Sequence, residues 1–374
     1  MIKTAFSLNK NVNKAVNEIK DEMMNLDNIV SMVYFASSTY PQKELAKTMK
    51  ESFPGVKLFG CSTTGENFNG RIMDNSIVVM GFSNEILEDV KIEVVKDLDK
   101  NLNKKVSDVF LEFDNYYNII SNSINVDKYV GLVFTDGLSG VEEKLMDSIS
   151  NKTDIFFVGG SAGDDLKFEK TFVYADGKVY NNAAILALLK PKVKFDILKT
   201  QSFKQLDKKL VVTKADEKNR KVLEFNNKPA TLAYAESIGC EIDKVDDYFM
   251  SNPIGLIIDG EPYVRSPQRI EDTSMYFYCE IQEGMEVSLL KSEDISKQTK
   301  KDLDDKNFEL QSVKKVEAII DFNCILRKIE LINKDNLDQY AECFANVPTV
   351  GFCTYGEAYL GHINQTSTML IFGK

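Results

Sequence analysis

Apolar and polar positions along the first half of the chain predict strands and helices in alternation. Residues 29–36 form a near-continuous apolar run typical of a buried strand, and the apolar spacing over residues 41–53 predicts a helix. Two predicted strands, at 77–82 and 90–95, leave no room for a helix between them, so part of the sheet is antiparallel. The other elements predicted in this half are strands at 56–61, 129–134 and 155–158 and helices at 102–124 and 142–149.

The chain from residue 172 onward is predicted to contain further strands, separated by charged turns after residue 190. Strands at 172–174 and 179–189 flank Asp176-Gly177, a dipeptide favoured in two-residue hairpin turns. A predicted helix over 230–237 follows Lys228-Pro229, where a second unit begins. The pattern therefore predicts a mixed α/β fold, with two units of mixed, largely antiparallel sheet and flanking helices. The remaining predicted elements are strands at 195–200, 210–213, 255–258, 276–281, 285–290, 316–322 and 368–372, and helices at 294–307 and 337–344.

Length and composition bound the class of protein. At 374 residues the chain exceeds what one core usually serves, so we expect two domains, residues 1–225 and 226–374. The 46 Lys and Arg against 57 Asp and Glu give a net charge of −11, which repels nucleic acid and anionic membranes. The N-terminus lacks the apolar core of a signal peptide, and residues 183–189, the strongest apolar run, are too short to cross a bilayer. We therefore expect a cytoplasmic protein with no nucleic-acid partner and no membrane insertion.

The cysteines and glycine motifs limit the cofactors that the chain is expected to bind. The six cysteines form no Cys-x-x-Cys pair, so the sequence indicates neither structural zinc nor a disulfide framework. It also lacks a Gly-x-x-x-x-Gly-Lys-Ser/Thr loop, and no dinucleotide fingerprint opens a predicted helix. We therefore expect reduced thiols, no bound metal and no nucleotide-driven activity.

Two seven-residue loops at strand ends share glycine, threonine, glycine and glutamate at matching positions. They are residues 60–66 (GCSTTGE) and 351–357 (GFCTYGE), and their agreement suggests an internal duplication. Glycine allows close backbone approach, while hydroxyl and carboxylate groups donate or accept hydrogen bonds. Such turns are suited to holding a small polar ligand. The candidate ligand-binding residues in these loops are Cys61, Ser62, Thr63, Glu66, Thr354 and Glu357.

Two further loops, residues 134–140 and 158–165, also leave predicted buried strands. If one sheet edge delivers all these loops, their polar residues converge on a crevice. Alternatively, each loop is an ordinary tight turn whose Asp and Ser side chains cap backbone groups. The candidate ligand-binding residues from these two loops are Thr135, Asp136, Gly160, Ser161 and Asp164.

The polar run near the C-terminus contains His362, the only histidine in the chain. In an extended segment, alternation places His362, Asn364 and Thr366 on one face, where they would line the same pocket. An amino-acid ligand would need donors for its carboxylate, for which Arg265 and Arg269 are candidates. Alternatively, the arginines are solvated and the histidine is packed against the backbone. The carboxylates that would accept from the ammonium group of such a ligand are Asp136, Asp164, Glu66 and Glu357.

Residues 159–163 also fit the Gly-x-Ser-x-Gly pattern of a hydrolase nucleophile elbow. In that serine hydrolase, Ser161 would attack and His362 would act as the base. Asp321 or Glu357 would orient the imidazole. An elbow requires a helix immediately after the serine, whereas the next predicted element here is a strand. Two neighbouring carboxylates would also disfavour a developing oxyanion, so this alternative is the weaker one.

The motifs, taken in order, resemble a known family of two-domain proteins. The first set resembles the FIST N-terminal domain and the second set resembles the FIST C-terminal domain. The resemblance covers nearly the whole chain. The first set is residues 59–66, 134–137, 159–164 and 176–177, and the second is Asn252-Pro253, Cys279, Glu283-Gly284, residues 351–357 and residues 362–366.

This resemblance implies a ligand-sensing module of signal transduction, proposed for the family to bind small molecules such as amino acids. We expect a stand-alone sensor without a cofactor that passes its signal to a separate output protein, such as a histidine kinase or cyclase. Part of the family is associated with haem and nitric-oxide sensing through a histidine ligand. In that alternative, His362 would be the haem ligand, because haem needs only one protein group and an apolar pocket. The sequence leaves the oligomeric state open.

Overall fold

The computed structural model describes residues 1–120, 124–309, 316–345 and 347–373. Within these residues the chain repeats one arrangement three times. Each repeat has an outer strand, a helix, a buried strand, one or two helices, a parallel partner strand, a short hairpin and a returning antiparallel strand. We call the repeats unit 1 (residues 2–83), unit 2 (residues 87–191) and unit 3 (residues 194–200 and 295–373).

Units 1 and 2 are continuous along the chain. Unit 1 contains β1 (Ile2–Ser7), α1 (Val12–Met23), β2 (Ile29–Ser37), α2 (Gln42–Ser52), β3 (Lys57–Thr63), β4 (Glu66–Phe68), β5 (Arg71–Met73) and β6 (Ile77–Ser83). Unit 2 contains β7 (Leu87–Lys96), α3 (Leu102–Tyr117), β8 (Val130–Thr135), α4 (Glu142–Ser150), β9 (Phe157–Ser161), β10 (Val173–Ala175), β11 (Lys178–Tyr180) and β12 (Ala183–Pro191).

Unit 3 is interrupted by an inserted domain, residues 203–292. Unit 3 begins with β13 (Lys194–Thr200), and the inserted domain then contains β14 (Phe203–Asp216), β15 (Lys221–Phe225), β16 (Lys228–Pro229), α5 (Ala230–Ile238), β17 (Ile254–Ile258), β18 (Glu261–Arg265), β19 (Pro267–Glu271), β20 (Ser274–Phe277) and β21 (Glu286–Ser292). Unit 3 resumes with α6 (Ile295–Glu309), β22 (Val316–Cys324), α7 (Ile325–Asn333), α8 (Leu337–Glu342), β23 (Thr349–Thr354), β24 (Glu357–Ala358), β25 (His362–Ile363) and β26 (Ser367–Gly373).

The three units have the same strand order. In each sheet the returning strand lies between the outer strand and the buried strand. The buried strand pairs in parallel with its partner strand on the other side. The orders are β1-β6-β2-β3, β7-β12-β8-β9 and β13-β26-β22-β23. Helices cover the outer face of each sheet. The buried parallel strands are therefore apolar on both faces, which explains the continuous apolar runs in the sequence.

The short hairpins join each unit to another in a closed cycle. The β4–β5 hairpin of unit 1 pairs with β23 of unit 3, and the β24–β25 hairpin of unit 3 pairs with β9 of unit 2. The β10–β11 hairpin of unit 2 pairs with β3 of unit 1. Each six-stranded sheet is completed by strands of a neighbouring unit, so we expect the three units to fold as one body.

The inner faces of the three sheets enclose one hydrophobic core. Phe35 of unit 1 contacts Phe134 of unit 2 and both Phe322 and Phe352 of unit 3, with ring centroids 4.7 to 6.3 Å apart. The inserted domain has a separate core around Phe225 and its own sheet, in the order β18-β17-β21-β14-β15-β20-β19. Burial of these aromatic rings, and the contacts between them, stabilise the packing of the three units against one another.

The structure confirms the predicted mixed α/β class, with several mixed sheets and flanking helices. The suspected repeat occurs three times. The third copy of the strand-end loop, after β9, escaped comparison because it lacks the threonine and glutamate of the other two. The division at residues 225 and 226 stays a prediction, and backbone hydrogen bonds cross it, since β13 pairs with β26 and β15 pairs with β20.

Two elements are shorter in the structure than the sequence predicted. The helix predicted to reach residue 124 ends at Tyr117, because Asn118 adopts a left-handed conformation there, and residues 121–123 lie outside the described part of the chain. The hairpin at Asp176-Gly177 forms as predicted, but its second strand ends at Tyr180. A left-handed Asn182 then directs β12 into a different sheet.

Candidate ligand-binding site

The three strand-end loops meet one another where the parallel strands end. The amide of Thr64 donates to the carbonyl of Cys353, that of Tyr355 to Ser161, and that of Gly163 to Ser62, over 3.0 to 3.4 Å. These bonds run from unit 1 to unit 3, from unit 3 to unit 2 and from unit 2 to unit 1. The three loops therefore come together, but in a closed ring of backbone hydrogen bonds and not around the predicted crevice. We call this ring the loop ring.

Two buried glutamates fix the loops of units 1 and 3 in equivalent ways. Glu66 accepts hydrogen bonds from the hydroxyl of Thr63 and from both the amide and the hydroxyl of Ser76. Glu357 accepts from the hydroxyls of Thr354 and Thr366, at 2.5 and 2.7 Å. Burial raises the pKa of each glutamate to about 7, although these hydrogen bonds act to lower it.

The loop ring is packed, and most of its side chains are buried within the protein. Close approach of the three sheets fills the space between the loops, and most of their polar side chains have hydrogen-bond partners within the chain. The predicted site residues that lie in this buried ring are Cys61, Ser62, Thr63, Glu66, Gly160, Ser161, Thr354, Glu357 and Thr366, each at most 2% exposed where polar.

A cavity of about 760 Å³ lies beside the loop ring, between unit 2, unit 3 and the inserted domain. Unit 2 contributes the loops after β8 and β9, and unit 3 contributes the N-terminal end of α7. The inserted domain contributes residues 218–220 and the β19 and β20 strands. Three residues from the C-terminal motifs, Tyr355, His362 and Asn364, also line this cavity. A cavity of this volume is typical of small-molecule sites.

His362 lies in the cavity wall and is 5% exposed. It pairs with Ala358 across the β24–β25 hairpin, and its ring packs on Gly356, where a Cβ atom would lie 2.1 Å from the ring. Burial lowers the pKa of His362, whereas the nearby carboxylates of Glu143 and Glu142 act to raise it. The net lowering means that the imidazole is neutral at neutral pH.

Asn364 is the most informative polar group in the cavity wall. It is 1% exposed, and its Oδ1 atom has no hydrogen-bond partner within the described residues. A buried acceptor without a donor costs about 1–3 kcal/mol, so the arrangement favours a donor supplied from the cavity. Alternation along an extended segment predicted that His362, Asn364 and Thr366 line one pocket, but Thr366 instead binds Glu357 with its hydroxyl and amide.

Charged groups surround the same cavity. Arg220 contacts Glu142 at 2.9 Å and Glu143 at 2.7 Å, so its charge is compensated within the chain. Arg269 also lines the cavity, and its guanidinium carbon lies 3.6 Å from the ring centre of Tyr276. The other predicted arginine, Arg265, is not among the lining residues, although its Nε is buried without a partner in the described chain.

The predicted acidic residues of unit 2 act mainly as turn caps. Asp136 accepts from the hydroxyl of Thr171 and from the amides of Leu138 and Asn182, as the tight-turn alternative proposed. Asp164 accepts from the hydroxyl of Tyr355 at 2.5 Å and from three consecutive amides at residues 168–170. Neither carboxylate lines the cavity, and Thr135 forms the end of β8 beside Asp136.

The geometry of a serine hydrolase is not formed. Ser161 ends β9 and no helix follows it. Its amide donates to the carbonyl of Gly356, and its carbonyl belongs to the loop ring. No hydrogen bond joins Ser161 to His362 among the residues that the structure describes. Asp321 binds Asn67 and Ser367, while Glu357 binds its two threonines, so neither carboxylate orients the imidazole.

Several cavity residues were not singled out from the sequence. Arg220 comes from a segment predicted to contain strands and charged turns, and Glu142 is the first residue of a predicted helix. Phe168 stacks on Tyr355 with ring centroids 5.1 Å apart, and Tyr276 supports Arg269. Of the residues not singled out, Tyr355 could have been found from the sequence, because it lies inside residues 351–357, which already supplied candidates.

The chain matches two family models that together cover most of it. The FIST N domain matches residues 31–228 and the FIST C domain matches residues 230–359. The chain therefore belongs to the FIST family, whose domains are associated with small-ligand sensing in signal transduction.

One relative has been matched among curated proteins. The chain is 27% identical over 311 residues to the uncharacterised protein MJ1623 of Methanocaldococcus jannaschii. The match covers 77% of this chain and 59% of that protein, so the chain spans less than two thirds of its relative's length.

The described residues include neither a membrane-spanning helix nor a cluster arranged for a metal. None of their helices combines the length and apolarity needed to cross a membrane. No group of three or more His, Cys, Asp or Glu residues in that part of the chain is arranged to hold a metal ion.

Proposed function

We propose that this protein is a sensor that binds a small polar metabolite, such as an amino acid, in the cavity between units 2 and 3 and the inserted domain. The observation that carries the proposal is Asn364, which lines that cavity and whose buried Oδ1 lacks a donor among the described residues. An ammonium group of the ligand would supply the missing donor. The association of FIST domains with small-ligand sensing supports the same function.

The opposite charge of an amino acid also has a counterpart in the cavity. The guanidinium of Arg269 lies against the ring of Tyr276. Among the described residues its side chain donates one hydrogen bond, to the neighbouring Gln268, so its other N–H groups can donate to a ligand. It would receive the carboxylate, as an arginine fork suits a planar two-oxygen group. The rings of Phe168 and Tyr355 would contact the ligand's apolar part.

Thermal unfolding of ligand-free protein tests this proposal. Protein refolded from denaturant, and so freed of co-purified metabolites, is screened against amino acids and related polar metabolites. A ligand at 100 times its dissociation constant adds about 2.7 kcal/mol and raises the melting temperature. Asn364→Ala should weaken binding of any hit by roughly 10-fold to 100-fold, because it removes a hydrogen bond to a charged group.

A matched control separates binding from general destabilisation. Asn13 is an exposed asparagine on α1, remote in sequence from every cavity segment, so Asn13→Ala should leave the ligand's affinity unchanged. A broad screen that produces no shift in the melting temperature would refute the proposed sensor. If Asn364→Ala leaves the affinity of a hit unchanged, the ligand binds at a site other than this cavity wall.

The onward partner is part of the proposal. A separate output protein, such as a histidine kinase or cyclase, would receive the signal. The support is the association of FIST domains with signal transduction. Co-purification from cells with and without the identified metabolite would test whether such a partner binds in a ligand-dependent manner.

Haem is a second candidate ligand, favoured by the state of His362. Its imidazole is neutral, lies in the cavity wall and makes no hydrogen bond with the described residues, so a ring nitrogen is available to iron. Leu166, Phe168 and Ile329 would contact the porphyrin. Added haemin should give a Soret band that His362→Ala abolishes and Asn13→Ala retains. Protein that stays colourless with haemin would eliminate this candidate.

A further inference from the structure

The inserted domain is packed as a body of its own. Its hydrophobic cluster, around Phe225, Tyr234 and Val287, consists entirely of residues from within 203–292. The core shared by the three units, around Phe35, includes no residue of that range. A domain with its own core keeps its internal packing when it moves against its neighbour.

The chain enters and leaves the inserted domain at one place. The entering segment, residues 200–203, lies beside the leaving segment, residues 292–295. Phe203 pairs with Ser292, and the amide of Glu293 donates to the carbonyl of Ser202 at 2.7 Å. Two adjacent crossings allow rotation about a common line with only a few backbone angles changing, which is the usual form of a hinge. We call these segments the paired crossing.

The cavity is bounded by a different contact between the same two bodies. Arg220 of the inserted domain contacts Glu142 and Glu143 at the first turn of α4 in unit 2, at 2.9 and 2.7 Å. Its other branch donates to the carbonyl of Tyr278 at 2.8 Å, which ties it to the inserted domain. Arg220 and Glu142 both line the cavity, and no residue of the paired crossing does. We call this ion-pair cluster the latch.

Other contacts between the inserted domain and the units are also polar. The hydroxyl of Ser266 donates to Gln365 at 2.7 Å, and the amide of Glu280 donates to Glu143 at 2.7 Å. Near the paired crossing, Lys199 lies 3.7 Å from Glu261 and 4.1 Å from the ring centre of Tyr263. Polar contacts exchange readily for water, so the interface can open without exposing a large apolar surface.

We propose that the inserted domain is a lid over the cavity, hinged at the paired crossing and held closed by the latch of Arg220 with Glu142 and Glu143. This inference rests on the proposed function, since it assigns the regulation of the same cavity. The lid supplies one wall of the cavity, so a ligand that contacts both walls binds the closed form more tightly. Ligand occupancy then shifts the lid position, which is a change that an output protein can recognise.

Distance measurement between two spin labels tests the lid without any ligand. One label is placed at Lys20 on α1 and the other at Glu236 on α5, both exposed positions, in a background with Cys240→Ser and Cys343→Ser. The unaltered latch should give one narrow distance distribution. Arg220→Gln should broaden that distribution and move its mean by several ångströms, because it removes the charge that holds the lid to α4.

Lys221→Gln is the matched control. Lys221 adjoins Arg220, but its ion pair with Glu271, at 2.5 Å, lies wholly within the inserted domain. It should keep the narrow distribution. The double variant Glu142→Gln with Glu143→Gln breaks the latch from unit 2 and should reproduce the effect of Arg220→Gln. Circular dichroism identifies any variant that fails to fold. If one latch variant does not fold, the variant on the other side of the latch provides the test.

An unchanged distribution in folded latch variants from both sides would overturn the lid. A change equal to that of Lys221→Gln would overturn it as well. These outcomes are separate from the fate of the proposed sensor. A distribution that opens in Arg220→Gln, together with a negative metabolite screen, would retain the lid and reject the ligand. A positive metabolite screen together with unchanged distance distributions in the latch variants would retain the sensor and reject the lid.

Discussion

The buried carboxyl groups of Glu66 and Glu357 should make the stability of the folded protein fall as pH rises. Both side chains are fully buried, and burial raises the pKa of each to about 7 from an ordinary value of 4.5. The folded state therefore holds these protons over a range of pH in which the unfolded chain has released them. Protonated carboxyls cost less to bury than carboxylates do.

The sign and size of the effect follow from proton linkage. A carboxyl with a raised folded pKa contributes stability that is fully present below pH 4.5 and is lost as pH rises through about 7. At about 1.4 kcal/mol per pH unit, the gap corresponds to about 3 kcal/mol for each glutamate. His362 acts in the opposite direction, since its lowered pKa contributes stability that is lost as pH falls below its ordinary value.

Comparison with single variants isolates the glutamates from His362. Urea unfolding at pH 5, 6, 7 and 8 gives the free energy of unfolding for the parent protein, Glu66→Gln and Glu357→Gln. The stability of the parent relative to either variant should fall by about 2–3 kcal/mol across this range, because glutamine does not titrate. Exposed Glu236, substituted with glutamine, serves as the control and should follow the parent.

A difference between the parent and Glu357→Gln that stays constant from pH 5 to pH 8 would refute this reasoning. It would mean that hydrogen bonds from Thr354 and Thr366 keep the carboxylate charged in spite of its burial. Infrared spectroscopy gives an independent check, since the carbonyl band of a protonated carboxyl should disappear as pH rises through about 7.

Three further substitutions, one of them a control, test the packing of the loop ring. Gly351→Ala should cost more than about 3 kcal/mol of unfolding free energy, because the new Cβ would lie 1.9 Å from the carbonyl oxygen of Asp321 and backbone must move. Gly361→Ala, which meets nothing within 4 Å, should change it by less than about 0.5 kcal/mol, and equal costs would contradict the close-approach argument. Tyr355→Phe should cost about 1.5–3 kcal/mol, because its hydroxyl donates to the carboxylate of Asp164 at 2.5 Å. An unchanged denaturation midpoint for Tyr355→Phe would show that this bond contributes nothing net.

Periodicity predicted the elements that carry a strong local pattern. The buried strands β2, β8 and β22 were located closely, because continuous apolar runs mark strands covered on both faces. The prediction did not include β1, α1 or α7. In α1 the buried positions Val12, Val16, Ile19 and Met23 have helical spacing, so the signal was present and was not used.

Two of the three exchanged hairpins, β4–β5 and β24–β25, could not have been predicted in this way. Strands β4, β24 and β25 have two or three residues each, too few for a period to appear. Strands β4 and β24 form because a strand of another unit offers its edge, and β25 pairs with β24. The same holds for the latch, in which Arg220 meets glutamates from a separate segment of the chain.

The sequence by itself determined the mixed α/β class, the strand-end loops and the family. These features depend on local pattern, on residue types and on the order of motifs. Only the tertiary structure decided that the loops close into a ring and that the cavity lies beside it, with His362, Asn364 and Arg269 in its wall. The physical reason is the range of the interactions. The hydroxyl of Thr64 reaches the carbonyl of Cys353 across 289 positions of the chain, and no local spacing specifies such a partner.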